Sequence, residues 1–365
     1  MKKYSVYEPN ISGNEKKYVN ECIDSTWISS KGHFVQDFEE KFKKYIGTSY
    51  AYAVCNGTVA IHLALKALDI KQNDEVICPT FTYIASANPV IDCNGKVIFA
   101  DSDLKTWQID PDDIECRITS KTKAIIAVHL YGCPCNMKRI MQIAKKYNIY
   151  VIEDCAEAIG SEIDGYKVGS FGDISCFSFF ANKTITCGEG GMVLTSNKLF
   201  AEKIKKLKTQ GVSEIKEYWH DIHGYNYRMT NIQAAIGLAQ FERVQEFIDK
   251  KIQLNRYYRN YLSNLPIEFH DSAKNSLHTH WMNTILVKNE NIRNDLREYL
   301  RINNIETRPT FYPIHTMPMY NTKEHFPVAE SIAYRGINLP SYPNLEEEDI
   351  VYISNKIRQY FGENK

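Results

Sequence analysis

Apolar positions in this chain follow two periods, one near two residues and one near three and a half, and the two alternate along its length. Residues 14–25 (NEKKYVNECIDS) put Tyr18, Val19, Cys22 and Ile23 on one helical face. Residues 34–45 repeat that spacing and stop before Gly47, a residue suited to a left-handed helix C-cap. Short apolar runs then recur at 50–55, 75–78, 96–100, 124–129, 150–153 and 173–180, with Gly, Pro, Asn or Asp at many of their ends. Such runs predict strands. Between them the longer period returns and predicts helices over 59–68, 84–93, 111–118, 137–147 and 198–208. Strand and helix in alternation point to the α/β class.

Beyond residue 230 the pattern changes. An Ala-rich stretch with alternating charge predicts one long helix over 230–262. It would join a large domain, 1–245, to a smaller one, 246–365, built from 267–270, a strand over 282–287, and helices over 292–302 and 346–360. A length of 365 residues accommodates two such units with a sizeable core.

Charge narrows the functional classes. Lys plus Arg and Asp plus Glu both number 44, so no net field favours nucleic acid or a membrane surface. The opening MKKYSVYEPN lacks an apolar signal core, and no run reaches membrane-span length, which together predict a cytoplasmic protein. Ten cysteines are scattered, and Cys133-Pro-Cys135, the only close pair, has neither zinc-ribbon nor CxxC spacing. His220 and His223 lack an acidic or cysteine partner at metal-site spacing, so no metal is expected. No GxGxxG opens a helix after a strand, which disfavours a nicotinamide dehydrogenase.

Two loops carry candidate chemistry. Lys183 follows the 173–180 run, at the strand end where open α/β sheets place ligands. The turn Gly188-Glu189-Gly190-Gly191 comes just after it and permits close backbone approach. A lysine withdrawn from water there is suited to Schiff-base chemistry. Asn56-Gly57-Thr58 sits between a strand and a helix start, where free N–H groups and the helix dipole favour a phosphate. An ordinary Asn-Gly turn with a Thr helix starter reads the same way.

The segment FSFFANKTITCGEGGM resembles the lysine segment of the DegT/DnrJ/EryC1/StrS family of pyridoxal-phosphate (PLP) dependent sugar aminotransferases. Likeness extends from NISGNEKKYVNECIDSTWISSKG to TRPTFYPIHTMPMY, and GYNYRMTNIQAAIGLAQ is close to the family's consensus. The resemblance implies an aspartate aminotransferase-like fold (PLP fold type I), with a large mixed-sheet three-layer domain and a smaller α+β C-terminal domain. It implies pyridoxal 5'-phosphate as cofactor and Lys183 as the catalytic lysine. Asp154, at a strand's carboxyl end, would pair with the pyridine nitrogen and keep the ring an electron sink. Glu157 would lie near the phenolic oxygen, Tyr83 on the ring face, and Gly57, Thr58 and Ser178 at the phosphate. Asn226 would cross to a neighbouring subunit's phosphate, with Arg228 supporting that turn or the interface, which implies a homodimer with active sites at the interface. Trp27, His129, Arg308, Tyr312 and His315 would line the substrate side.

The function implied by the resemblance is amino transfer from L-glutamate to a ketone, foremost the 4-keto group of a nucleotide-linked 6-deoxy sugar. Relatives that act as sugar 3-dehydratases carry histidine in place of the lysine, so Lys183 favours transamination. A UDP- or dTDP-keto sugar or a small phosphorylated ketone as acceptor, a PLP-dependent dehydratase, and a non-catalytic PLP-binding regulator are the alternatives.

Overall fold

A seven-stranded mixed sheet forms the centre of the computed structural model, which describes residues 2–362. Its order across the sheet is Tyr50–Val54, Gly191–Thr195, Ile174–Ser178, Tyr150–Asp154, Thr122–Val128, Glu75–Pro79 and Lys96–Ala100. Gly191–Thr195 pairs antiparallel with both neighbours, and the five strands on its far side are mutually parallel. Both faces are buried, so alternate residues of one strand enter different cores. Met192 and Leu194 pack beneath the helices His33–Ile46 and Asn231–Phe241, while Val193 joins the opposite core with the helix Gly57–Ala67. Burial on both faces explains why these strands read as continuous apolar runs.

A second, three-stranded antiparallel sheet combines Asn283–Leu286, Gly336–Leu339 and Arg308–Pro309. It packs with the helices Val244–Tyr261, Glu290–Ile302 and Glu347–Tyr360 around a core of its own. Tyr4 belongs to that core, and its backbone bonds Asn304 and Glu306. The first residues therefore join the unit that the sequence pattern builds only from residue 246 onward.

Two predicted helices are corrected. The single helix over 230–262 is two helices, Asn231–Phe241 and Val244–Tyr261. Arg243 leaves helical angles at φ −114° and ψ 13°, and its guanidinium bonds Asn10, Ser12 and Glu246. That tie to the N-terminal arm leaves no trace in local periodicity. The helix over 84–93 is a 3-10 turn, Ile84–Ser86, followed by the short helix Asn88–Asp92. Pro89 lacks an N–H and can sit only in a first helical turn, so it starts the second piece.

Candidate active site

The parallel strands end at one edge of the large sheet, and a cavity of about 440 Å³ opens there. Tyr50–Val54 delivers Asn56, Gly57 and Thr58; Glu75–Pro79 delivers Thr82, Tyr83 and Ser86; Tyr150–Asp154 delivers Asp154 and Glu157; Ile174–Ser178 delivers Ser178 and, past its end, Lys183. Ligands gather at such carboxyl ends because helix N-termini and free loop groups converge on them. A wider groove of about 970 Å³ lies at Lys250 and Glu346 and collects none of these strand ends.

Lys183 is held on several sides. Its Nζ lies 3.4 Å from Glu157 Oε1 and 4.0 Å from the ring centroid of Trp281. The Trp281 indole N–H donates to the Asn182 carbonyl at 2.7 Å, and the Tyr7 hydroxyl donates to the Lys183 carbonyl. An ammonium over an indole face gains electrostatic attraction without needing water, so the amine stays oriented in a largely dry wall.

Asp154 is buried and accepts from Ser86 Oγ at 2.7 Å and from the Ala156 N–H at 3.1 Å. Burial pushes its carboxyl up, while the Ser86 and Ala156 donors pull back toward the charged form. Burial also raises Glu157, against the opposing charge of Lys183 and the Tyr131 N–H, which donates to Glu157 Oε2 at 2.8 Å. Two buried carboxyls and one amine thus share a small volume with few other ionic partners.

The glycines shape the other end of the cavity. A Cβ on Gly57 would lie 2.7 Å from Ser178 Cβ, and one on Gly191 would lie 2.5 Å from the Asn56 carbonyl oxygen. Without side chains there, the first turn of the Gly57–Ala67 helix sits directly against Ser178. Asn56 caps that helix by accepting from the Val59 N–H at 3.0 Å. The result is a small polar recess at a helix N-terminus, suited to a phosphate.

Of the residues singled out from the sequence, Lys183, Asp154, Glu157, Gly57, Thr58, Ser178, Tyr83 and Arg308 come together around this cavity. Two substrate-side expectations are corrected by hydrogen bonding. His129 is buried with Nε2 at 3.1 Å from Glu153 Oε2, and its Nδ1 accepts from the Cys135 N–H at 3.0 Å, so neither nitrogen is free for a substrate. His315 is likewise committed, to Thr80 Oγ1 at 2.7 Å and to Glu330 at 3.2 Å. Trp27 and Tyr312 are exposed and outside the cavity lining, and Tyr312 lies against Tyr334. Asn226 is also outside the lining; its side-chain oxygen accepts from Arg228 Nε at 3.1 Å.

Three lining residues escape a reading of the sequence. Trp281 lies far along the chain from Lys183 and has no local motif. Ser86 sits in a turn whose proline signal is masked by apolar spacing that suits a longer helix. Asn182 neighbours the lysine and carries a buried side-chain oxygen without a partner.

These features fit pyridoxal phosphate: a buried carboxylate for the ring nitrogen, a polar recess a Cβ would fill for the phosphate, and an amine between them. A fold of this kind with an amine and a carboxylate so placed is suited to PLP chemistry on amines, and family membership makes it that of a transaminase. The chain belongs to the DegT/DnrJ/EryC1/StrS aminotransferase family, whose pattern spans residues 9–358. It is 52% identical over 364 residues to GDP-perosamine synthase of Escherichia coli O157:H7, covering 100% of both chains. Identity to GDP-perosamine synthase of Vibrio cholerae is 47%, covering 98% of this chain and 99% of that one. The PLP form of Spr1654 from Streptococcus pneumoniae superimposes with a TM-score of 0.93 at 25% identity, covering 98% of each chain.

Proposed function

We propose that this enzyme transfers an amino group from L-glutamate to the 4-keto group of a GDP-linked 6-deoxy sugar, as a GDP-perosamine synthase. The observation that carries the reading is the placement of Lys183 Nζ between Glu157 and Trp281 in the cavity that also holds Asp154. Full-length identity of 52% to a synthase of that name supports the choice of acceptor.

Bound PLP supplies an aldehyde for amine exchange and an electron sink for the carbanion that amino transfer requires. Lys183 would hold the cofactor through its amine and, when that amine is free, would move the proton at the donor's α-carbon. Asp154 keeps the ring nitrogen protonated, with Ser86 and Ala156 holding its charge in place. Glu157 orients the lysine amine through its 3.4 Å contact. Gly57, Thr58 and Ser178 receive the phosphate, and Tyr83 flanks the ring. Arg308, at the cavity mouth, offers a cation to the sugar's diphosphate.

The working unit is a homodimer in which Asn226 reaches the neighbouring subunit's phosphate. Support comes from the polypeptide just before it, where Ile215 and Tyr218 are each 98% exposed, an unusual state for large apolar side chains. A cytoplasmic setting accords with nucleotide-sugar substrates; among the described residues no helix is long and apolar enough to cross a membrane.

The test is an absorption titration of the PLP-loaded enzyme. L-Glutamate converts the PLP spectrum to that of pyridoxamine phosphate, and a GDP-linked 4-keto-6-deoxy sugar restores it. Lys183→Ala abolishes the conversion. Restoration by UDP- or dTDP-linked keto sugars alone overturns the acceptor. PLP bound without response to glutamate overturns the donor, and loss of the keto sugar without amine transfer identifies a dehydratase.

A further inference from the structure

On the side of the Tyr131 loop away from Glu157, three histidines converge. One ring nitrogen from each of His270, His278 and His280 lies within 4.8 Å of the other two. They border a separate cleft of about 500 Å³, whose wall also carries Asp103, Asp271 and Arg259. None of these residues lines the cofactor cavity.

The hydrogen bonding sorts the ring nitrogens. His278 points Nε2 at the Tyr131 carbonyl, 3.1 Å away, so that nitrogen carries the proton and Nδ1 is left with its lone pair. The Nδ1 of His270, a buried residue, has no hydrogen-bond partner. The Nδ1 of His280 is also buried without a partner. Buried polar atoms are nearly always bonded, so two adjacent orphan nitrogens call for a ligand. An imidazole that gives one N–H to a backbone carbonyl and keeps the other nitrogen bare is the arrangement metal-binding histidines use.

His270 is fixed by stacking on Trp107 with centroids 4.4 Å apart. Arg259 is the opposing charge, and Asp271 offsets it in part. Three nitrogen donors beside an open cleft match a borderline divalent ion with a fourth position left to water or a nearby carboxylate.

We propose that His270, His278 and His280 form a three-histidine site for a zinc-class divalent cation, separate from the PLP site. The ion draws the three nitrogens inward, to zinc–nitrogen bonds of about 2.0–2.1 Å. Its position behind Tyr131, whose N–H bonds Glu157, ties the second site to the wall of the first.

The test uses untagged, PLP-loaded, full-length enzyme stripped with a chelator and titrated calorimetrically with zinc chloride. Cobalt serves as the spectroscopic substitute. Saturable uptake of one zinc per chain is expected, with cobalt giving the visible bands of a low-coordinate nitrogen site. His270→Gln and His280→Gln each weaken uptake at least tenfold while keeping the bound-PLP spectrum. The His280 variant, at the less buried position, covers the case in which the His270 variant does not fold. No saturable uptake, or uptake unchanged in both folded variants, overturns the site and assigns any remaining binding to thiols or surface groups. Because zinc uptake is read without substrate, its failure leaves the aminotransferase reading untouched.

Discussion

Ser86→Ala probes how the enzyme keeps a buried carboxylate charged. Asp154 has two donors, Ser86 Oγ at 2.7 Å and the Ala156 N–H at 3.1 Å, and burial already pushes its carboxyl up. A hydrogen bond to a charged group is worth about 1.5–3 kcal/mol, an upper bound here because Ser86 and Asp154 both line the cavity, where water replaces part of it. Without it the charged form of Asp154 is disfavoured, and with it the partner proposed for the pyridine nitrogen. Because that bond exists with and without PLP, the loss of affinity reaches about 10- to 150-fold, at about 1.4 kcal/mol per decade, only at acidic pH where the carboxyl takes up its proton, and it vanishes where both proteins hold Asp154 charged. A carboxyl whose proton is harder to remove loses its charge at higher pH, so the decline of PLP affinity on acidification begins at higher pH in the variant. Equilibrium titration of apoenzyme with PLP across a pH series measures both effects, and thermal melting of the apo forms controls for folding. If Ser86→Ala binds PLP within twofold of the parent at every pH, the charge on Asp154 is not what retains the ring and the assignment fails.

Other consequences are as definite. Gly57→Ala places a Cβ 2.7 Å from Ser178 Cβ in the proposed phosphate recess, so the helix start or the strand has to shift: the apoprotein melts lower than the parent, and PLP binding, measured on the folded variant below its melting temperature, weakens at least tenfold; unchanged binding refutes the recess. Lys251, buried with Nζ bonded to the Trp281 and Ser341 carbonyls, is lowered to about 7 by burial alone. The unfolded chain therefore holds a proton there that the folded chain lacks between pH 7 and about 10.4, so this lysine makes stability rise with pH in that window, by at most about 1.4 kcal/mol per unit. Lys251→Met removes that slope in urea unfolding at pH 7–9.5, whatever its constant effect on stability; an unchanged slope refutes the burial argument.

The strand ends are legible because most are short apolar runs that stop at a Pro, Asn or Asp, as at Asn56, Pro79, Asp101 and Asp154, and the sheet aligns those stops. Lys183, Asp154 and the Asn56-Gly57-Thr58 turn inherit their places from that alignment. What the pattern cannot carry is contact between distant segments. Trp281 under Lys183, and Arg243 reaching Asn10, depend on how the second core docks against the first. His129 and His315 resemble site residues because both lie near strand or loop ends beside the cavity. Their ring nitrogens are consumed by Glu153, Cys135, Thr80 and Glu330, a fact that only coordinates reveal. Pro89 is a readable signal, masked because the surrounding apolar spacing suits one helix.

The indole of Trp281 also sets a schedule for the enzyme's birth. A ribosome releases Lys183 about a hundred residues before the tryptophan that covers its amine and bonds the neighbouring Asn182 carbonyl. Chains fold from the N-terminus during synthesis, so the early sheet stands for a time with its lysine bare to water. A chain cut short before Trp281 lacks the indole that covers the amine and bonds the Asn182 carbonyl, so the wall around Lys183 is complete only once the second core has been made.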